Sequence, residues 1–152
     1  MKKKLIGFGI FIVVIGIFVL IDWIISLGYK FEIVSIDPYP GIADGNTQST
    51  IVVRLTRTDG TPVEGHDVRI LSLGGGTLPS YRQTTDEDGI VTFQYVPYIA
   101  TSIRPAEDVT MRVRDESSSV FIAIPPSHTF VLELEEPEEG AGGGVTSDSF
   151  FG

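Results

Sequence analysis

Two histidines, His66 and His128, and the acidic triplet Asp86, Glu87 and Asp88 are the side chains of this 152-residue sequence best suited to chemistry. A hydrolytic triad needs a serine hydroxyl and a carboxylate beside one imidazole. The histidines lie far apart in sequence, each in or beside a turn, and no serine and acid can be assigned to either, so both read as surface residues. Calcium favours oxygen-rich loops, which makes Asp86, Glu87 and Asp88 the metal candidate. The triplet lacks the 1, 3, 5 ligand spacing and distal glutamate of an EF-hand, so a solvated turn is the stronger reading. The glycine triplet 74–76 is not a phosphate loop: no Gly-Lys-Ser/Thr follows and no helix begins there. It reads as a flexible connection between two sheets. No catalytic residue and no cofactor is expected.

Composition narrows the partners. The chain has no cysteine, which excludes disulfides, thiolate metal sites, a lipoprotein anchor and cysteine catalysis. From Tyr29 onward there are 8 basic and 19 acidic residues, a net of −11. Phosphate backbones require a cationic face, so nucleic acid is not an expected partner. The seven arginines, spread over residues 54 to 114, form no basic run.

The elements that would position anything begin with MKKKLIGFGIFIVVIGIFVLIDWIISLGYK. Leu5 to Ile21 carries no charge: every residue is Leu, Ile, Val or Phe except Gly7, Gly9 and Gly16. Extended through Leu27, the stretch would reach roughly 35 Å as a helix. Its hydrophobes favour insertion by about 4–8 kcal/mol, against at most about 3 kcal/mol for the single acid Asp22. Lys2, Lys3 and Lys4 precede the segment and Lys30 follows it, so the N-terminus is expected inside and the remainder outside the cell. Trp23 and Tyr29 suit the outer interface. Asp22 reads as an interfacial acid without a partner, a membrane partner being the alternative. Gly9 and Gly16 share a helix face and are the candidate helix-packing surface, through which the chain would self-associate in the bilayer. The competing reading is a cleaved signal peptide ending near Ser26 and Gly28, but its apolar run would be unusually long.

After residue 30 the period becomes two. In TIVVRLTR, Ile51, Val53 and Leu55 face one way, and Val52, Arg54 and Thr56 the other. Asp59-Gly60, Pro62 and Gly65 interrupt the alternation, and Val68 and Ile70 resume it, giving a strand, a loop and a strand. Phe31 to Ile36 is a strand closed by Asp37-Pro38. Val91, Phe93 and Tyr95 share a face after Asp88-Gly89; Val109, Met111 and Val113 point inward; VFIAI, 120–124, reads as a central strand; Phe130, Leu132 and Leu134 point inward. Seven to nine such strands predict an all-β fold, an antiparallel β-sandwich over 29–135, behind a basic end at 1–4 and a membrane helix at 5–28. The acidic, glycine-rich tail at 136–152 cannot bury a core and is expected to be disordered. Phe150 and Phe151 in that tail form a candidate docking motif, the idle end of a chain being the plainer reading.

The order ADGNTQSTIVVRLTRTDGTPVEGHDVRI, GGGTL, TTDEDGIVTFQYV resembles the bacterial immunoglobulin-like domain of the invasin and intimin type. Ala43-Asp44-Gly45, Gly60-Thr61-Pro62-Val63 and Thr85 to Gly89 carry the resemblance, with Glu87 as an extra residue in the last turn. It covers about 100 residues and rests on turn chemistry. It implies an immunoglobulin-like sandwich displayed at the cell surface, working in adhesion, surface display or envelope assembly, with the bilayer and an unidentified protein or surface as partners. The sequence YIATSIRPAED stands where the family usually has a glycine- and threonine-rich step. Separately, Gly7-Phe8 after a lysine cluster resembles the processing site of type IV pilin-like proteins, with Ile12 where bacterial members usually have glutamate. That resemblance implies a subunit of a pilus-like filament or other membrane machine.

Overall fold

The computed structural model describes residues 2–117 and 125–138; within the N-terminal helix, side chains are described from Gly9 to Ile25. Helix α1 spans Lys2–Ser26, 25 residues, and ends where Leu27 and Gly28 donate their N–H groups to the carbonyls of Trp23 and Ile25. The Gly28 carbonyl accepts from the Thr58 N–H, which ties the helix end to a turn of the following domain. Ile10, Phe11 and Val13 are each 60 % exposed, and Trp23 and Ile24 are also open. Among the described residues no helix is long and apolar enough to cross a membrane. Residues 5–8 and 26 of the expected 5–28 span lie outside the described side chains of α1. Asp22 departs from expectation: it is 1 % exposed and engaged by other groups of the chain. A carboxyl buried among apolar side chains is costly unless it is engaged, and these interactions relieve that cost.

The domain beyond α1 consists of nine strands among the described residues: β1 Tyr29–Asp37, β2 Gly41–Ile42, β3 Ser49–Arg57, β4 Asp67–Ser72, β5 Arg82–Thr84, β6 Ile90–Tyr95, β7 Val109–Asp115, β8 Ser127–Leu132 and β9 Leu134–Glu135. One sheet has the order β1-β3-β6 and the other β5-β4-β7-β8, each antiparallel throughout, while β2 and β9 pair in parallel. β1, β3 and β6 thus form one sheet and β4, β5, β7 and β8 the other, so the chain crosses between them from β3 to β4, from β5 to β6 and from β6 to β7, in the immunoglobulin-like manner. The alternation seen in the sequence sets the core. Ile51, Val53, Val68, Ile70, Phe93, Tyr95, Met111, Val113 and Leu132 are all fully buried, with Leu55, Val91 and Val109 at most 4 % exposed. Phe130, expected inward, is half-buried because it sits on an edge strand. In β1 the register shifts between Ile33 and Ser35, so Val34 turns outward and the strict alternation breaks there. The segment VFIAI, expected as a central strand, lies outside the described residues, as do 139–152 with Phe150 and Phe151.

The register defines two poles. Tyr29 pairs with Arg57 and Asp37 with Thr50, so β1 runs away from α1. The turns at 58–66 and 85–89, the end of β7 and the start of β8 therefore gather at the α1 pole. The loops 73–81 and 96–108 gather at the far pole, joined by the Thr77–Val96 bridge. The glycine triplet does not connect two sheets. It lies between β4 and β5, neighbours in one sheet, and is held at the far pole. Tyr95 Oη donates to the Gly75 carbonyl at 3.0 Å, Ser72 Oγ donates to the same oxygen, and Arg104 donates to the Gly74 carbonyl at 2.8 Å. Gly76, at φ +77°, has the Tyr95 ring where a Cβ would stand.

Candidate functional site

The residues of chemical interest collect at the α1 pole. β7 ends with Asp115, which continues the inward series Val109, Met111, Val113, so a carboxyl occupies a core position and is fully buried. His66, in the turn before β4, places Nδ1 2.8 Å from Asp115 Oδ2. The Ser117 N–H donates to Asp115 Oδ1 at 2.8 Å, and the Asp115 N–H donates to the Pro126 carbonyl at 3.0 Å. The His66 backbone is held by Thr85: its N–H donates to Thr85 Oγ1 at 2.9 Å, and its carbonyl accepts from the Thr85 N–H at 2.9 Å. The Tyr29 ring lies 5.5 Å from the His66 ring, tilted by 45°.

The sequence placed His66 alone at a turn; the structure gives it a buried acid. The pair resembles two-thirds of a triad, but among the described residues nothing hydrogen-bonds His66 Nε2. The nearby Ser117 Oγ instead accepts from the Asp67 N–H at 2.8 Å. The arrangement locks the 58–66 turn, the end of β7 and residue 117 together beside the start of β1. His128 joins the same pole from β8, in a shallow groove lined by Leu27, Tyr29, Phe31 and Pro126. The two histidines therefore flank Tyr29 where the helix meets the sandwich. Sequence reasoning missed Asp115; carrying the alternation of β7 one residue further would have placed it inside.

The acidic triplet is divided in role. Asp86 Oδ1 accepts the N–H groups of Asp88 at 3.0 Å and Ile90 at 2.8 Å, and the Asp86 carbonyl accepts from Gly89. Asp86 thus builds the turn that admits Gly89 at φ +71°, and Glu87 and Asp88 face solvent. Among the described residues no group of three His, Cys, Asp or Glu side chains is placed to hold a metal ion. Asp44 plays the same part at the far pole: its Oδ1 accepts the N–H groups of Asn46 and Thr47, and its Oδ2 accepts Thr47 Oγ1 at 2.6 Å. Gly9 and Gly16 are exposed on α1, with open space where a Cβ would stand.

These turn acids make stability depend on pH. Burial pushes Asp44 up, but the Thr47 hydroxyl and the backbone N–H groups of Thr47 and Asn46 outweigh it and hold the carboxyl below the usual range. The Thr61 backbone and hydroxyl hold Asp59 low, and Thr84 with Arg82 does the same for Asp67. A carboxyl whose pKa is lowered by folding stabilises the fold above its ordinary value and loses that contribution as pH falls through the folded one. Thermal melts are therefore expected to be flat near neutrality and to fall in the acid range below about pH 4. The Asp44→Asn variant, melted in parallel, is expected to show a shallower acid decline.

No family model matches the chain, and no curated protein matches it. Solved structures similar to it include the D00-D0 domain of intimin, at 13 % identity over 68 % of this chain and 45 % of that one, TM-score 0.47. The C-terminal 282-residue fragment of intimin, in complex with the intimin-binding domain of the translocated intimin receptor, is similar at 19 % identity over 68 % and 33 %, TM-score 0.47. A conjugative transposon lipoprotein from Bacteroides eggerthii DSM 20697 is similar at 14 % identity over 69 % and 96 %, TM-score 0.44. The chain spans less than half the length of these intimin chains. The immunoglobulin-like description rests on the strand order above.

Proposed function

We propose that the chain is a membrane-anchored, extracytoplasmic, non-catalytic module in which an immunoglobulin-like sandwich serves a binding or structural role at the cell surface. The observation that carries this reading is α1 itself. A 25-residue helix whose side chains from Ile10 to Leu20 are apolar and exposed, with only Ile21, Asp22 and Ile25 among its described residues covered in part or whole, is unsuited to water. The sequence adds the uncharged run Leu5–Ile21, some of whose side chains lie outside the described residues, and Lys2, Lys3 and Lys4 before it, which favour an inside N-terminus. Only Leu27 and Gly28 separate the helix from β1, which would hold the His66–Asp115 pole against the membrane and present the far pole outward.

The test is mass spectrometry of the mature N-terminus combined with alkaline extraction of membranes. A chain beginning at Met1 that stays in the extracted membrane is the expected result. A soluble chain beginning near Tyr29 would overturn the anchor.

The exposed Gly9 and Gly16 favour a second reading, a subunit of a pilus-like filament or other membrane machine assembled through α1. Cross-linking in membranes would then give a ladder of oligomers, and the Gly9→Leu, Gly16→Leu double variant would collapse it. A monomer in both forms removes this reading.

A further inference from the structure

The arginines that form no run in the sequence form one in space. On the outer face of the four-stranded sheet, Arg69 of β4 pairs in register with Arg82 of β5 on one side and with Arg114 of β7 on the other. Three guanidinium-bearing residues thus stand in one row across three adjacent strands, about 4.8 Å apart strand to strand. Arg112, two residues before Arg114, adds a fourth on the same face. Like charges set opposite one another in a sheet oppose folding, so stability alone does not account for such a row.

The acids on this face satisfy it only in part. Glu116 lies among three arginines, at 3.5 Å from Arg69, 3.7 Å from Arg82 and 3.8 Å from Arg114. Those are charge contacts beyond good hydrogen-bond length. Asp67 makes the one close pair, 2.8 Å from Arg82. Four cations against two acids leave the face positive in a chain whose net charge from Tyr29 onward is −11. The Nε atoms of Arg69 and Arg114 are buried without a hydrogen-bond partner, and Arg112 is exposed and makes no ion pair among the described residues.

We propose that this face docks an acidic polypeptide segment, whose carboxylates are taken by the guanidinium groups of Arg69, Arg112 and Arg114. The planar guanidinium fork matches a carboxylate in two parallel hydrogen bonds. Arg112 and Arg114 repeat at the two-residue spacing of a strand, which is also the spacing of alternate acids on an extended peptide. A long, stiff polyanion fits less well: past the row it would cross the acidic remainder of the domain and be repelled, whereas a short acidic segment ends where the positive face ends. The inference rests on the reading of the domain as a binding module and adds the chemistry of the partner.

The test uses the full chain in detergent micelles and a fluorescent peptide of alternating glutamate and threonine, with a lysine–threonine peptide as control. Saturable binding of the acidic peptide alone is expected, weakening as salt is raised. Arg112→Ser removes an exposed side chain that makes no ion pair among the described residues. It is expected to weaken binding about tenfold with the melting temperature unchanged. Arg69→Gln with Arg114→Gln is expected to abolish binding. The proposal is overturned if the acidic peptide does not bind, if Arg112→Ser binds as the parent does, or if a sulfated oligosaccharide binds more tightly than the peptide. Membrane extraction is read separately, so a chain that stays anchored yet fails to bind the peptide removes this inference and leaves the anchor standing.

Discussion

Replacing Asp115 with alanine is expected to lower the unfolding free energy by about 2–4 kcal/mol, measured by urea denaturation of the chain in detergent. Three features set that size. The carboxyl is fully buried at the end of β7, so its removal leaves a cavity rather than a solvated gap. It accepts from the Ser117 N–H at 2.8 Å, a donor that alanine strands. It also faces His66 Nδ1 at 2.8 Å, and a ring nitrogen left under partial cover without its acceptor adds a desolvation cost. His66→Ala is expected to cost less, because the imidazole is 23 % exposed and water can replace part of what it gives Asp115. The double variant then measures the pair itself, with a coupling of about 1–3 kcal/mol. If Asp115→Ala costs no more than a surface substitution, the carboxyl is hydrated in solution and the pole is looser than described.

The contrast between Asp115 and the rest of β7 shows what the sequence makes legible. Val109, Met111 and Val113 announce their face by hydrophobicity, and the period-two rule places them in the core without any knowledge of neighbours. Asp115 obeys the same rule but is polar, so composition argues against the position that geometry assigns it. Its partner His66 comes from a turn, and only the pairing of β4 with β7 brings the two together. The arginine row is hidden for a stronger reason. Arg69, Arg82 and Arg114 are aligned by the registers of two strand pairs, and register is set by the whole sheet rather than by local pattern. The turns were the most readable part: Asp44 and Asp59 cap backbone N–H groups in their Asp-Gly turns, while before Gly89 the capping acid is Asp86 rather than the Asp88 of the dipeptide. The glycine triplet misled because glycine marks tolerance of unusual backbone without saying what holds it; here Tyr95 and Arg104 do so from elsewhere in the chain.

Gly89→Ala is expected to destabilise the domain by about 3 kcal/mol, and Gly60→Ala by only about 1 kcal/mol, although both glycines follow an aspartate in a turn. Both have positive φ, +71° and +87°, so both variants carry the strain of a side chain in the left-handed region. Their surroundings differ. Around Gly60 no atom lies within 4 Å of where a Cβ would stand. At Gly89 the Cβ would overlap the Leu55 carbonyl oxygen and approach the Val63 nitrogen to 3.0 Å. That oxygen accepts the Val63 N–H at 3.1 Å, and the Gly89 carbonyl accepts the Leu55 N–H at 2.8 Å. Alanine at 89 therefore adds a backbone clash to the torsional strain and loosens the two hydrogen bonds that join the 86–89 turn, the end of β3 and buried Val63. Urea midpoints for the two variants, measured side by side with the parent, separate strain alone from strain with collision. Equal losses would mean that β3 and the turn move apart freely to admit a methyl group, which the close packing of this pole does not allow.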